Sequence, residues 1–181
     1  VITLHESVNE AEAWRRTEEL LGQVGIDPER LRNYPHEFSG GMKQRAMIAM
    51  ALACNPPLVI ADEPSTALDV VVQAQILRLL KDLKQRRGLS MILVSHDLSV
   101  IAEICNRVAI VYAGKIIEHG DIFSIFKDAK HPYSKALIGA FPRIVGPMSE
   151  MRAISGTPPG LIRPPPGCRF HPRCPLKMEL C

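Results

Sequence analysis

Apolar positions along the chain fall into short blocks whose period switches between helix and strand. Val8 to Leu21 carries helix-favouring residues, with Ala11, Trp14 and Leu21 available to one apolar side, and Gly22 to Gly25 breaks the run. Asp27 and Pro28 open a second short helix, as its N-cap and first turn. From Gly41, the residues Met42, Ala46, Ile48, Ala49 and Leu52 recur at helical spacing until Asn55-Pro56-Pro57, where proline cannot continue the helix. Leu58 to Ala61 is then wholly apolar and stops at Asp62, the pattern of a strand buried on both faces. Val70 to Arg87 reads as a long amphipathic helix, with Ile76, Leu79, Leu80 and Leu83 inward and Gly88 as its stop.

Met91 to Val94 is a second apolar strand, running into Ser95-His96-Asp97. Leu98 to Cys105 reads as helix. Arg107 to Tyr112, Ala113-Gly114 and Lys115 to Glu118 read as a strand-turn-strand hairpin. Asp121 can cap a helix reaching Phe126, and Pro132 can start another reaching Phe141. Nine of the fifteen prolines lie between Pro142 and Pro175, which excludes most regular structure there.

Composition narrows the class without naming it. The net charge of +3, from 22 basic and 19 acidic side chains, is too weak and scattered to imply nucleic-acid binding. No apolar run approaches the roughly 18 residues of a membrane-spanning helix, so membrane association is expected to pass through a partner. The start, VITLHESVNE, has no signal-type core and no initiator Met, and is expected to lie inside a longer polypeptide. Cys54 and Cys105 read as small buried hydrophobes, while Cys168, Cys174 and Cys181 cluster near the end, and a reducing setting suits all five.

Candidate chemistry concentrates between Phe38 and His96. In Ser39-Gly40-Gly41 the glycines allow close backbone approach to an anion and the following helix aims free N–H groups at it; a plain N-cap is the structural alternative. An apolar strand ending in Asp62-Glu63 is how an α/β sheet presents carboxylates at its ligand-binding edge. Asp62 suits hydrated Mg²⁺ and Glu63 suits polarising a water; capping of the next helix is the alternative. His96 follows the second strand as Asp62-Glu63 follows the first.

These stretches resemble a known family. FSGGMKQR resembles the signature motif of ABC-transporter ATPase subunits, VIADEP their Walker B strand, STALD their D-loop and LVSHD their H-loop, across roughly Val8 to Gly120. The resemblance implies that Ser39, Gly40, Gly41 and Met42 contact the γ-phosphate of ATP held by an opposite subunit. It implies Mg²⁺ at Asp62, the catalytic water at Glu63, the γ-phosphate at His96 and the dimer seam at Asp69. Met42 stands where the usual signature has Gln, so contact there would rest on backbone. KDAKHPYSKALIGAFP and GTPPGLIRPPPGCRFHPRCP are similar to the C-terminal extension of dipeptide and oligopeptide importer ATPases. Members of that branch can hold a [4Fe–4S] cluster through four cysteines. Here Cys168, Cys174 and Cys181 offer three, with His171 available as a substitute or as part of a Cys₃His zinc site, and an unmetallated tail is the remaining reading.

The resemblance therefore implies an α/β fold: the C-terminal part of a P-loop (RecA-like) ABC ATPase domain. Residues 1–37 would be part of the helical subdomain, 38–126 the core, and 127–181 a Pro/Cys-rich extension. It further implies an ATPase subunit peripheral to the cytoplasmic face of the inner membrane. Expected partners are a paralogous or identical ATPase subunit, membrane permease subunits and, indirectly, an extracytoplasmic solute-binding protein, but not nucleic acid. No G-x-x-x-x-G-K-[ST] loop occurs in the chain, so these residues alone are expected neither to bind ATP tightly nor to turn it over. A ribosome- or DNA-associated ABC ATPase, and a metal-bearing regulatory module, are the alternatives.

Overall fold

Polar side chains set where the helices begin. Asn9 accepts the Glu12 amide at 2.9 Å, Ser39 that of Met42 at 3.3 Å, Asp69 that of Val72 at 2.9 Å and Asp121 that of Phe123 at 3.0 Å, each satisfying a first-turn N–H that the helix cannot. The computed structural model describes residues 1–140 and 154–181 and divides into two units, Val1–His96 and Asp97–Cys181.

The first unit contains α1 (Ile2–His5), α2 (Glu10–Gln23), α3 (Gly40–Leu52), β1 (Leu58–Asp62), α4 (Val70–Arg87) and β2 (Ser90–Val94). Ala13, Leu20 and Leu21 of α2, Ala49 and Leu52 of α3, and Leu83 of α4 form one core with Val24, Ile26 and Leu89. Burying each large aliphatic side chain contributes about 1.5–3 kcal/mol. The buried stripe of α2 differs from the expected one. Leu21 is buried, but Ala11 and Trp14 face solvent, and the Trp14 indole donates to Glu10 at 3.3 Å. The helix also runs through Gly22 rather than breaking there. The segment after Asp27 is a 3-10 turn, Pro28–Arg32. For α4 the expected limits hold at both ends, with Gly88 closing the helix in the left-handed region at φ 60°.

β1 and β2 pair in parallel, from Leu58 opposite Ser90 to Asp62 opposite Val94. The expectation of a strand buried on both faces fails. Val59 and Met91 pack against the core, but Leu58, Ile60, Ile92 and Val94 are exposed, because the described sheet has two strands and helices cover one face.

The second unit contains α5 (Leu98–Ile104), the antiparallel hairpin β3 (Arg107–Tyr112) and β4 (Lys115–Asp121), α6 (Ile122–Asp128) and α7 (Pro132–Gly139). Ala113 and Gly114 turn the hairpin with φ of 48° and 77°, the left-handed pair that a tight two-residue loop requires. Phe141, Pro142 and Pro147 lie outside the described residues. Among the described residues after them, the one regular segment is a 3-10 turn, His171–Arg173. No described helix is long and apolar enough to cross a membrane.

Arg87 ties the first unit together. Its guanidinium donates to Gln23 Oε1 at 2.5 Å, to Asn55 Oδ1 at 3.1 Å and to the Leu52 carbonyl at 3.4 Å, joining the C-terminal ends of α2, α3 and α4. Bonds from a charged donor are worth about 1.5–3 kcal/mol, so Arg87→Ala is expected to destabilise the unit by roughly that amount. Urea unfolding checks this, and an unchanged midpoint would show that the contacts are dispensable.

Candidate active site

The parallel register delivers two chain segments to one sheet edge. Asp62 is opposite Val94, and the next amide, that of Glu63, donates to the Val94 carbonyl at 2.9 Å. Glu63 and His96 therefore meet beyond the strand ends. Glu63 Oε1 accepts the His96 amide at 3.0 Å and lies 2.7 Å from His96 Nδ1, and Oε2 accepts the Thr66 hydroxyl at 2.9 Å. These bonds, first that from His96 and then that from Thr66, hold the Glu63 carboxyl below its ordinary pKa. An ionised carboxylate only accepts, so Nδ1 of His96 carries the proton of the contact. Glu63 takes a left-handed backbone, φ 46°, which non-glycine residues rarely adopt. Asp62 is exposed at the end of β1, a single carboxylate of the sort that shares Mg²⁺ with phosphate oxygens and waters.

A second cluster lies at the start of α3. The Ser39 hydroxyl caps Met42, while the amides of Gly40 and Gly41 precede the first intrahelical bond and can receive an external anion. A β-carbon on Gly40 would lie 3.6 Å from Leu68, so this turn abuts the segment leading to Asp69. Asp69 itself is the N-cap of α4. Met42 is half-buried. The residues from Glu63 to Asp69 thus connect the two clusters. Thr66 and Leu68 escaped sequence reasoning, although Thr66 falls three residues after Glu63, at turn spacing.

Among the described residues no three His, Cys, Asp or Glu side chains converge enough to hold a metal ion. Cys168, Cys174 and Cys181 are unpaired and half-buried; the Cys168 amide donates to the Cys181 carbonyl at 3.0 Å, and its sulfur lies 3.9 Å from His131 Nε2. His171 turns Nδ1 to the Cys168 carbonyl at 2.9 Å. Aromatic packing orders the tail. Phe170, 1% exposed, sits with ring centroids 5.2 Å from Tyr112, 5.4 Å from Tyr133 and 5.8 Å from His131. Arg173 donates to the Tyr112 hydroxyl at 3.1 Å and to the Ile154 and Ser155 carbonyls at 3.0 and 2.9 Å, and Arg169 donates to the Ala113 carbonyl. Burial lowers the His131 pKa, and its Nδ1 accepts the Tyr133 amide at 3.1 Å, so the ring is a neutral cap.

Residues 2–66 match the family model described as ABC transporter. A solved structure, "Dimeric structure of a post-hydrolysis state of the ATP-binding cassette MJ0796 bound to ADP and Pi", is 30% identical with a TM-score of 0.56, over 65% of this chain and 50% of that one. The fold is thus a portion of an α/β ABC ATPase domain. Residues 117–181 match the model described as Oligopeptide/dipeptide transporter, C-terminal region. The chain is 50% identical over its whole length to the oligopeptide transport ATP-binding protein OppD of Salmonella typhimurium, covering 55% of it. It is also 50% identical over 98% of its length to the dipeptide transport ATP-binding protein DppD of Bacillus subtilis, covering 53% of that protein. The chain is thus similar to ATP-binding subunits of oligopeptide and dipeptide ABC transporters at both of its ends, and it spans about half the length of these relatives.

Two outcomes test the geometry. A carboxyl held below its ordinary pKa stabilises the fold above the unfolded-state value, and that contribution is lost as pH falls through the folded one. His96→Ala is therefore expected to raise the Glu63 pKa toward its ordinary value in an NMR titration; no change would assign the shift to Thr66. In the tail, Phe170→Ala should cost about 3–5 kcal/mol locally and expose the segment to protease. A metal chelator should not, and cleavage induced by chelator would restore a metal role.

Proposed function

We propose that the protein containing this chain is the ATP-hydrolysing, energy-coupling subunit of a peptide importer. The observation that carries the reading is the Glu63–His96 pair, held at 2.7 Å beyond parallel strands whose second cluster offers anion-binding amides. Phosphoryl transfer to water needs positioning and charge stabilisation more than covalent chemistry, and these residues supply both. Glu63 orients the attacking water and takes up its proton; each carboxylate oxygen keeps a lone-pair site beyond the bonds to His96 and Thr66. His96, fixed through Nδ1, faces the transferred phosphoryl group. Asp62 would hold hydrated Mg²⁺, which when bound neutralises phosphate charge.

Ser39, Gly40, Gly41 and Met42 would bind the γ-phosphate of ATP held by a second, paralogous or identical, ATPase subunit, with Asp69 at the seam between the two. Closure of that pair would drive a membrane permease pair, served from outside by a solute-binding protein, with the ATPase on the cytoplasmic face. The 181 residues hold no G-x-x-x-x-G-K-[ST] loop, so we assign turnover to a protein of the relatives' length and not to these residues alone. An ABC ATPase acting on ribosomes or DNA would share the motifs through His96. The match of residues 117–181 to a transporter C-terminal region favours the importer, with di- or oligopeptides as cargo.

Glu63→Gln in the native protein is expected to lower ATP turnover roughly 10²–10⁴-fold while nucleotide binding persists, the range of a lost general base. Turnover retained at the wild-type rate would overturn the assignment of Glu63.

A further inference from the structure

Gly41 has a neighbour that phosphate binding does not require. A β-carbon built there would lie 2.6 Å from Cγ1 of Val72, far inside the 3.5–4.0 Å at which carbon atoms attract. On Gly40 the corresponding atom meets Leu68 at an ordinary 3.6 Å, so packing demands the second glycine and tolerates a side chain at the first. Val72 cannot easily yield. It is half-buried in the first turn of α4, its amide is bonded to Asp69 Oδ1 at 2.9 Å, and a branched side chain in a helix keeps essentially one rotamer. Arg45, one turn further along α3, bonds the Val24 carbonyl at 2.6 Å and Gln75 of α4 at 3.2 Å, so a hydrogen bond joins the two helices beside this contact and opposes their separation.

We propose that Val72 is a positioning residue for the anion-binding turn. Its branched side chain occupies the notch left by Gly41 and fixes the first-turn amides of α3 relative to Asp69. The functional consequence rests on the proposed function, but the packing claim does not. Gly41 is then required chiefly because of Val72, and only secondarily because a phosphate must approach.

A double-mutant cycle on the native protein tests this, read both as ATP turnover and as unfolding midpoint. In the first turn of a helix alanine is otherwise preferred to glycine, so the sign of the effect is diagnostic. Gly41→Ala alone is expected to lower turnover at least about tenfold and to lower the midpoint, as overpacking does. In a Val72→Ala background the same change should recover most of the lost turnover and should hold or raise the midpoint. Val72→Ala alone should raise the KM for ATP roughly threefold, whereas Val72→Thr, with the same branched shape, should leave it near wild type. A double variant no better than Gly41→Ala in both readouts overturns the proposal, as does a Val72→Thr variant that behaves like Val72→Ala. If the native protein proves not to hydrolyse ATP, the proposed function falls. The midpoints then judge Val72 alone, and simply additive losses overturn it.

Discussion

The parallel pairing of β1 with β2 is the constraint from which the candidate site follows. With Asp62 opposite Val94, the next residue of the first strand is bonded back to the second, and Glu63 and His96 have no other place to go. Parallel strands need a crossover, and α4 supplies it. The crossover must begin within a few residues of Glu63, so its cap, Asp69, and its first turn are brought against the start of α3. A single register therefore places both a carboxylate–imidazole pair and the capped first turn of α3 in one unit.

The short connection that achieves this is strained. Glu63 and Ala67 both sit at positive φ, 46° and 63°, with costs of order 1–3 kcal/mol each for residues bearing a β-carbon. Local bonds offset the cost. The Thr66 amide and hydroxyl both bond to Glu63, and the Leu68 amide bonds to the Ser65 carbonyl. The same bonds, together with those from His96, hold the Glu63 carboxylate in place beyond the strand ends.

Most of the first unit was legible because its signals are local. Asp69 and Gly88 bound α4 through capping chemistry that two residues carry by themselves, and the apolar runs from Leu58 and Met91 end where their carboxylate and imidazole begin. The buried face of α2 was illegible from period alone, since Trp14 could have turned inward and is held outward by Glu10 and by a core built on Ala13 and Leu20. The role of Arg87 was equally hidden. Its partners lie 64, 35 and 32 residues away, and no window of sequence contains them.

The tail shows the same limit from the opposite side. Thiol spacing states which groups are available, whereas a metal site needs them to converge, and convergence is fixed by whatever orders the backbone. Here that is a Phe170 side chain enclosed by residues from the hairpin and α7, with Arg173 satisfying carbonyls at Ile154 and Ser155. None of these contacts is periodic, and the glycine at 167 is needed both for its left-handed φ of 66° and because a β-carbon there would collide with the Cys181 carbonyl. Once Phe170 is seated, the Cys168 and Cys181 backbones are bonded to each other, the His131 ring is spent as the cap of α7, and His171 is turned to a carbonyl. The aromatic seat, the arginine bonds and these backbone bonds order the segment together.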